Sequence, residues 1–462
     1  MVERRGKMKF FTKHLTTTQI IVLSFLVVIL IGTFLLQLPI ASADGQATSF
    51  IDALFMATSS VCITGLVIVD TVTYWSGFGH VVILILMQIG GLGVITMTTT
   101  VMMLLGKKLS LKNRMLLGDA FNLDTLKGLV QFLQKAFKGT FFVEGIGALC
   151  YMPVFILKYG AARGIWYSVF HSVSAFCNAG IQILGEDGFA PYVHNIWFNV
   201  VTMILITLGG IGFVVWLDVI AMLKRKWHQK EHNVGEVVSL TLHSKIAISM
   251  SLGLTAVGML LFFIFEFGNP ETIGDFSIGN KILAALFQSV TCRTAGFTMI
   301  APQHLTVPSV IIVVFLISIG GSPVGTAGGM KTTTIAVLIL AVVSTIKGQE
   351  DVICFKRRIP WKTVRKSLAI VTISLMASVV AIIAMLVFEE GTAMDVVFEI
   401  LNALSTAGFT MDYTKTIGIA GKIILGICMY LGRIGPITMV IAITMKETKS
   451  AVRLPEENIT VG

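Results

Sequence analysis

Cys62-Ile63-Thr64-Gly65-Leu66 decides how this chain is read, because its theme returns three times. The returns are Cys177-Asn178-Ala179-Gly180-Ile181, Arg293-Thr294-Ala295-Gly296-Phe297 and Ser405-Thr406-Ala407-Gly408-Phe409. The four glycines lie 115, 116 and 112 residues apart. Before each runs a short apolar segment, at 52–60, 166–176, 281–291 and 395–404. Runs of roughly a dozen residues are re-entrant rather than spanning. Longer apolar stretches flank them, near 18–40, 80–105, 136–157, 195–223, 243–267, 309–345, 365–388 and 421–445. Each meets the length of about 20 residues that a spanning helix needs. Every unit therefore reads as span, short helix, glycine turn, span.

This pattern predicts an all-α membrane protein with eight transmembrane helices in four tandem span–pore-helix–span repeats around one pseudo-fourfold pore. The boundaries fall at 18–114, 115–232, 233–350 and 351–446, with tails at 1–17 and 447–462. Glycine reaches φ > 0 without strain, and rings of backbone carbonyls can replace the hydration shell of a monovalent cation. The predicted selectivity filter is Ile63, Thr64 and Gly65; Asn178, Ala179 and Gly180; Thr294, Ala295 and Gly296; and Thr406, Ala407 and Gly408. Only one glycine is common to the four strands, so a ring less regular and less stringent than a fourfold-symmetric one is expected.

A second landmark keeps register with the first. The second span of each unit carries a glycine break: Gly90-Gly91-Leu92-Gly93, Gly209-Gly210-Ile211-Gly212, Gly320-Gly321-Ser322-Pro323-Val324-Gly325 and Gly432-Arg433-Ile434-Gly435-Pro436. Small residues in spans also serve close helix packing, and for the first, second and fourth breaks both readings stand. The third is different. Glycine and proline are poor in helix interiors, and 320–329 contains Gly320, Gly321, Pro323, Gly325, Gly328 and Gly329. Non-helical backbone at membrane depth survives only inside protein or beside a water-filled cavity. The third second span is also the longest, with room for two half-helices joined by a loop.

Apolar residues make up 55% of the chain and charged residues 13%, against about 25% charged in soluble domains. The net charge of +10 does not point to nucleic acid. Lys and Arg concentrate at 4–13, 107–114, 224–230, 347–366 and 446–453, whereas Glu186, Asp187, Glu266, Glu271, Asp275, Glu389 and Glu390 fall mostly in the alternate links. This positive-inside bias places both termini in the cytoplasm. Residues 19–40 exceed the 7–15 of a cleaved signal's apolar region, so the first span is expected to be kept. No Cys-x-x-Cys pair or Cys/His cluster occurs among the 6 cysteines, which argues against zinc or redox chemistry. No nucleophile–base set appears, and histidines such as His80, His171 and His243 read as packing or interfacial groups.

Arg433 is a charge at membrane depth, where insertion costs about 2.5–3.5 kcal/mol or more. It is read either as a fixed charge slowing cations below the filter or as half of an ion pair with Glu144 or Glu399. Lys331 either caps the third-unit loop or pairs with a carboxylate. Arg293 and Glu399 are natural mutual partners, expected to act as scaffold. The alternative to conduction is a coupled transporter with alternating access, a symporter or a sodium-pump-associated subunit. Such carriers commonly use inverted repeats, whereas these four units run in one direction.

The filter strands, the G-G-S-P-V-G-T-A-G-G-M-K and G-R-I-G-P-I-T stretches and the terminal L-P-E-E-N-I-T-V-G resemble the membrane subunit of Ktr-type potassium uptake systems, within the wider Trk/Ktr group. The resemblance covers essentially the whole chain. It implies a potassium-translocating, non-enzymatic subunit in the bacterial cell membrane, a homodimer of four-repeat pores, and a cytoplasmic regulatory ring of nucleotide-binding subunits. It implies no cofactor in this chain, K+ as the transported ion and Na+ as an activator. It also implies that 320–329 is an intramembrane gating loop, with Gly320, Gly321, Ser322, Pro323, Gly325, Gly328, Gly329, Lys331 and the facing Arg433 as gate residues. Trk-type relatives usually have two further spans before the first repeat; here 17 residues precede the first span, which favours Ktr. Cys62, Cys177 and Cys292 beside the strands depart from the family pattern. They are either small packing residues or sites of thiol sensitivity.

Overall fold

The structure is a computed structural model that describes residues 16–94, 96, 129–185, 188–232, 239–435 and 438. The basic stretches 4–13, 107–114 and 446–453, Glu186, Asp187, Pro436 and the end of the chain lie outside the described residues, as do the last parts of the expected spans 80–105 and 421–445.

The first unit comprises α1 (Thr17–Gln37), α2 (Phe50–Cys62) and α3 (Gly77–Leu92). The second comprises α4 (Leu129–Tyr159), α5 (Ala161–Cys177), α6 (Ile196–Gly210) and α7 (Phe213–His232). The third comprises α8 (Leu242–Glu266), α9 (Ile278–Thr291), α10 (Val307–Ser318) and α11 (Thr332–Ile346). The fourth comprises α12 (Trp361–Phe388), α13 (Ala393–Ser405) and α14 (Ile419–Ile434). Helix starts follow local chemistry. Thr16 and Gln19 form a reciprocal capping box on α1, and Ser49 and Thr392 accept the Asp52 and Asp395 N–H groups at the starts of α2 and α13. Such caps satisfy orphan donors.

The leading helix of each unit, α1, α4, α8 and α12, is long and apolar enough to cross a membrane unbroken. On α12 the face Leu368, Leu375, Val379, Ile383 and Val387 is exposed; its spacing marks one side of a helix. An apolar outer face of that kind suits lipid, where an intact helix satisfies every backbone group. The trailing spans are interrupted. α6 and α7 meet at a 99° bend, and α10 and α11 are separated by the loop 319–331. Among the described residues the expected glycine breaks fall where helices stop: Gly93 (φ 82°) and Gly435 (90°) cap α3 and α14, and Gly212 (94°) lies between α6 and α7.

One departure from an all-helical chain is a hairpin between α11 and α12. Its strands β1 (Val352–Cys354) and β2 (Arg357–Ile359) pair antiparallel with Val352 opposite Ile359. Phe355 (φ 48°) and Lys356 (φ 60°) form its turn, and two positive φ values match the hand of strand twist. Val352 and Ile359 pack with Ala336, Val337 and Ala341 of α11.

Contacts between units run in one direction. The trailing helix of each unit packs on the short helix of the next: α3 on α5, α6 on α9, α10 on α13, and α14 on α2. The last contact closes a cycle of four.

Candidate functional site

The four short helices end alike. Ile63 (φ 57°), Asn178 (58°), Thr294 (65°) and Thr406 (51°) are left-handed, and the glycine two residues later is left-handed too: Gly65 (83°), Gly180 (66°), Gly296 (72°) and Gly408 (88°). The residue between them, Thr64, Ala179, Ala295 or Ala407, is not. Alternation of this kind allows successive carbonyls to face one side of a strand. For β-branched Ile63, Thr294 and Thr406 the left-handed region is a strained one, at about 1–3 kcal/mol each, which persists only where surroundings over-determine it. The same backbone bond supports three turns: Thr64 N, Ala179 N and Ala407 N donate to Ser59 O (2.9 Å), Ser174 O (2.8 Å) and Asn402 O (3.1 Å). In the third unit α9 stops earlier, and Ala295 N and Gly296 N share Thr291 O at 3.0 and 3.3 Å.

The strands converge. A Cβ built on Gly180 would sit 2.5 Å from Ala295 O, one on Gly296 2.5 Å from Ala407 O, and one on Gly408 2.7 Å from Thr64 O. A Cβ on Gly65 would strike Ala179 O. Each glycine thus abuts the middle carbonyl of the neighbouring strand, in the order one, two, three, four and back to one. All twelve predicted strand residues belong to these four turns. The Oγ1 atoms of Thr64, Thr294 and Thr406 are buried and have no hydrogen-bond partner among the described residues.

The glycine breaks lie against the same turns. Side chains at Gly90, Gly209 and Gly432 would collide with Val61 O, Phe176 O and Leu404 O, each four residues before its strand glycine. The first, second and fourth breaks are therefore both packing surfaces and helix ends. In the third unit Gly320 faces Gly328 O instead, because the loop folds on itself. Ser322 N and Thr326 N donate to Gly210 O (2.8 Å) and Gly209 O (3.1 Å), and Thr326 Oγ1 donates to Phe176 O at 3.0 Å. Pro323 and Gly325 rest on Gly212 and Gly209. Gly328 lies against Thr406 Oγ1, and Gly329 against Ser405 O. The loop thus joins the bend of the second unit to the strand of the fourth.

Both basic residues point into this loop. Lys331 Nζ donates to Ala327 O (2.7 Å) and Gly328 O (3.4 Å), so it caps the loop rather than pairing with a carboxylate. Arg433 donates to Thr326 O, to Gly90 O (2.5 Å) and to Gly91 O (3.5 Å). The expected ion pair of Arg433 with Glu144 or Glu399 does not form. Its partners are carbonyls in the last turn of α3, the negative end of a helix dipole, plus one from the loop; Gly90 O also accepts from Gly93 N at 3.1 Å. Glu144 instead accepts from Gln88 Nε2 at 3.2 Å, and Glu399 accepts from Thr410 Oγ1.

The Arg293–Glu399 pair is also not formed. Arg293 sits between the early end of α9 and its strand, which turns it back to α8. There it donates to Ser251 O (2.9 Å), Ser251 Oγ (2.6 Å) and Thr255 Oγ1 (3.2 Å). Cys62, Cys177 and Cys292 are fully buried; Cys177 Sγ lies 2.5 Å from where a Cβ on Gly91 would be, which favours the packing reading. Sequence reasoning missed a third recurrent glycine. Gly32, Gly147 and Gly258, in the leading helices, let Leu86, Leu205 and Leu316 approach to 2.7–2.8 Å of a hypothetical Cβ. The first two precede their strand glycines by the same interval, a signal present in the repeat but hidden among other small residues.

Residues 4–453 match the family model described as TrkH, cation transport protein. The chain is 36% identical over 456 residues to the potassium/sodium uptake protein NtpJ of Enterococcus hirae, covering 97% of this chain and 98% of that protein. It is likewise 36% identical to the Ktr system potassium uptake protein B of Bacillus subtilis, covering 97% of each. Its fold matches the crystal structure of the potassium transporter TrkH from Vibrio parahaemolyticus with a TM-score of 0.70 at 18% identity, over 91% of this chain and 84% of that one.

Proposed function

The chain belongs to the TrkH family of cation transport proteins, and from that premise we propose that it conducts potassium through the ring of four glycine turns. The observation that carries this reading is the closed cycle of contacts from Gly65 to Ala179 O, Gly180 to Ala295 O, Gly296 to Ala407 O and Gly408 to Thr64 O. Backbone oxygens brought to one axis can replace a cation's hydration shell. The Thr64, Thr294 and Thr406 hydroxyls, without a partner among the described residues, add neutral acceptors beside them. The four units then form one eight-span pore in which interrupted trailing spans surround the ring.

In this reading the loop 319–331, capped by Lys331 and tied to Arg433, is the gate. The charge of Arg433 opposes cation passage until the loop moves. The protein works as a homodimer in the bacterial membrane with both termini cytoplasmic, and a cytoplasmic nucleotide-binding ring moves the gate. Sodium is an activator, and the protein holds no resident cofactor.

Purified protein in liposomes tests the central claim by potassium flux. Substitution of Ser at Gly65, Gly180, Gly296 or Gly408 is expected to lower the preference for K+ over Na+, because a Cβ at φ > 0 both strains the backbone and displaces the adjoining carbonyl. Unchanged discrimination in all four variants would remove the filter assignment.

A further inference from the structure

The four strands are held from behind to different degrees. Beyond its glycine, the strand of the fourth unit is tied to α13 three times. Asn402 Nδ2 donates to Phe409 O, Phe409 N donates to Asn402 Oδ1 at 3.1 Å, and Thr410 Oγ1 donates to Glu399. The second unit has two ties to α5: Ser174 Oγ to Ile181 O at 2.6 Å, and Ile183 N to His171 Nε2 at 3.2 Å. The third has one, Thr291 Oγ1 to Phe297 O at 2.9 Å. Among the described residues the first has none from α2 to the residues after Gly65. Ser59, which matches Ser174 and Asn402 in place, is buried with its Oγ unpartnered among the described residues.

The equivalent positions explain the difference. Nine residues before each strand glycine stand Met56, His171, Phe287 and Glu399. The two polar ones are in units two and four, which the cyclic contacts place opposite each other. Glu399, Asn402 and His171 are all fully buried, where a polar group without a partner is costly. Their hydrogen bonds to the strands are therefore held firmly.

We propose that Asn402 and Glu399 are positioning residues for the ring: they fix the fourth strand as its rigid reference, while the untied first strand is the compliant wall that adapts to the ion. This inference rests on the ring being the conducting site. A carbonyl pinned from behind cannot close around a smaller ion, so discrimination against Na+ depends on the pinned strands.

Potassium and sodium uptake into liposomes, with melting temperature on the same preparations, tests the assignment. Asn402→Ala and Glu399→Leu are expected to lower the ratio of K+ to Na+ apparent affinities by about three- to tenfold, the size of one net hydrogen bond. Ser59→Ala is expected to stay within about twofold, since it has no tie to lose. Glu399→Gln retains an acceptor for Thr410 Oγ1 and should keep wild-type discrimination. Should Asn402→Ala fail to fold, Thr410→Val removes a tie without touching α13 and carries the same expectation. Folded Asn402→Ala and Glu399→Leu proteins with wild-type ratios would overturn the proposal, as would equal losses in Ser59→Ala and Asn402→Ala. If the ring-glycine variants lose discrimination while these keep it, the ring stands and the positioning role falls.

Discussion

Arg433 shows how one side chain's surroundings decide what its loss would do. An arginine paired with a buried carboxylate leaves that acid orphaned when removed, typically destabilising by about 3–5 kcal/mol. Here its partners are the carbonyls of Thr326, Gly90 and Gly91, so no charge is stranded. Arg433→Gln is expected to keep most of the thermal stability and raise the maximal potassium rate, because a fixed positive charge in a low-dielectric setting repels a cation strongly. Arg433→Lys keeps the charge and should run close to wild type. Melting temperature and initial uptake rate measured together decide it; a stable Gln variant with an unaltered rate would take Arg433 out of the pathway. At this scale the sequence located charges well and paired them poorly. Arg293 and Glu399 look like partners from their places beside consecutive strands. The early stop of α9 sends Arg293 to Ser251, a half-turn difference that no residue pattern announces.

Among the elements, the loop 319–331 has the most to explain. It has little regular structure of its own. It is held by Ser322 N on Gly210 O, Thr326 N on Gly209 O and Phe213 N on Val324 O, all from the bend between α6 and α7. If the loop closes the path, deleting residues 323–327 should increase potassium flux per folded protein, with Arg433 losing its Thr326 partner at the same time. If it only braces the bend, deletion should lower yield and melting temperature with no gain in flux. Flux normalised to the folded fraction separates the two outcomes. The glycine and proline content of 320–329 made this interruption legible before any coordinates. The 99° turn between α6 and α7 was not. Gly209-Gly210-Ile211-Gly212 resembles the first break, which ends in the same way, and the direction taken afterwards depends on the loop of another unit packing into the bend.

For the molecule as a whole, the cyclic order means that one of four seams differs from the others. Units one to two, two to three and three to four are joined by the chain as well as by packing. The seam of unit four with unit one rests on noncovalent contacts, between α14 and α1, α2 and the end of α3. Lys422 Nζ meets Asp52 Oδ1 at 2.7 Å, and Tyr430 Oη donates to Val22 O at 2.6 Å. The repeat spacing made the fourfold order readable from sequence, but not these closing contacts, which join residues nearly the length of the chain apart. The pair is only partly exposed, with side chains at 20% and 29%, whereas the Arg358–Asp351 pair stands at 66% and 37%. Surface pairs contribute about 0–1 kcal/mol, and shielding from water strengthens a pair while raising the cost of breaking it. A double-mutant cycle with Asp52→Asn and Lys422→Gln, read by thermal unfolding, should therefore give a coupling of about 1 kcal/mol or more. The same cycle on Asp351 and Arg358 should give less than about 0.5 kcal/mol. Hydrogen exchange should then quicken first in α1 and α14 when Lys422 is replaced. Equal couplings at the two sites would mean that the seam is closed by apolar packing of α14 on α2, with the ion pair incidental to it.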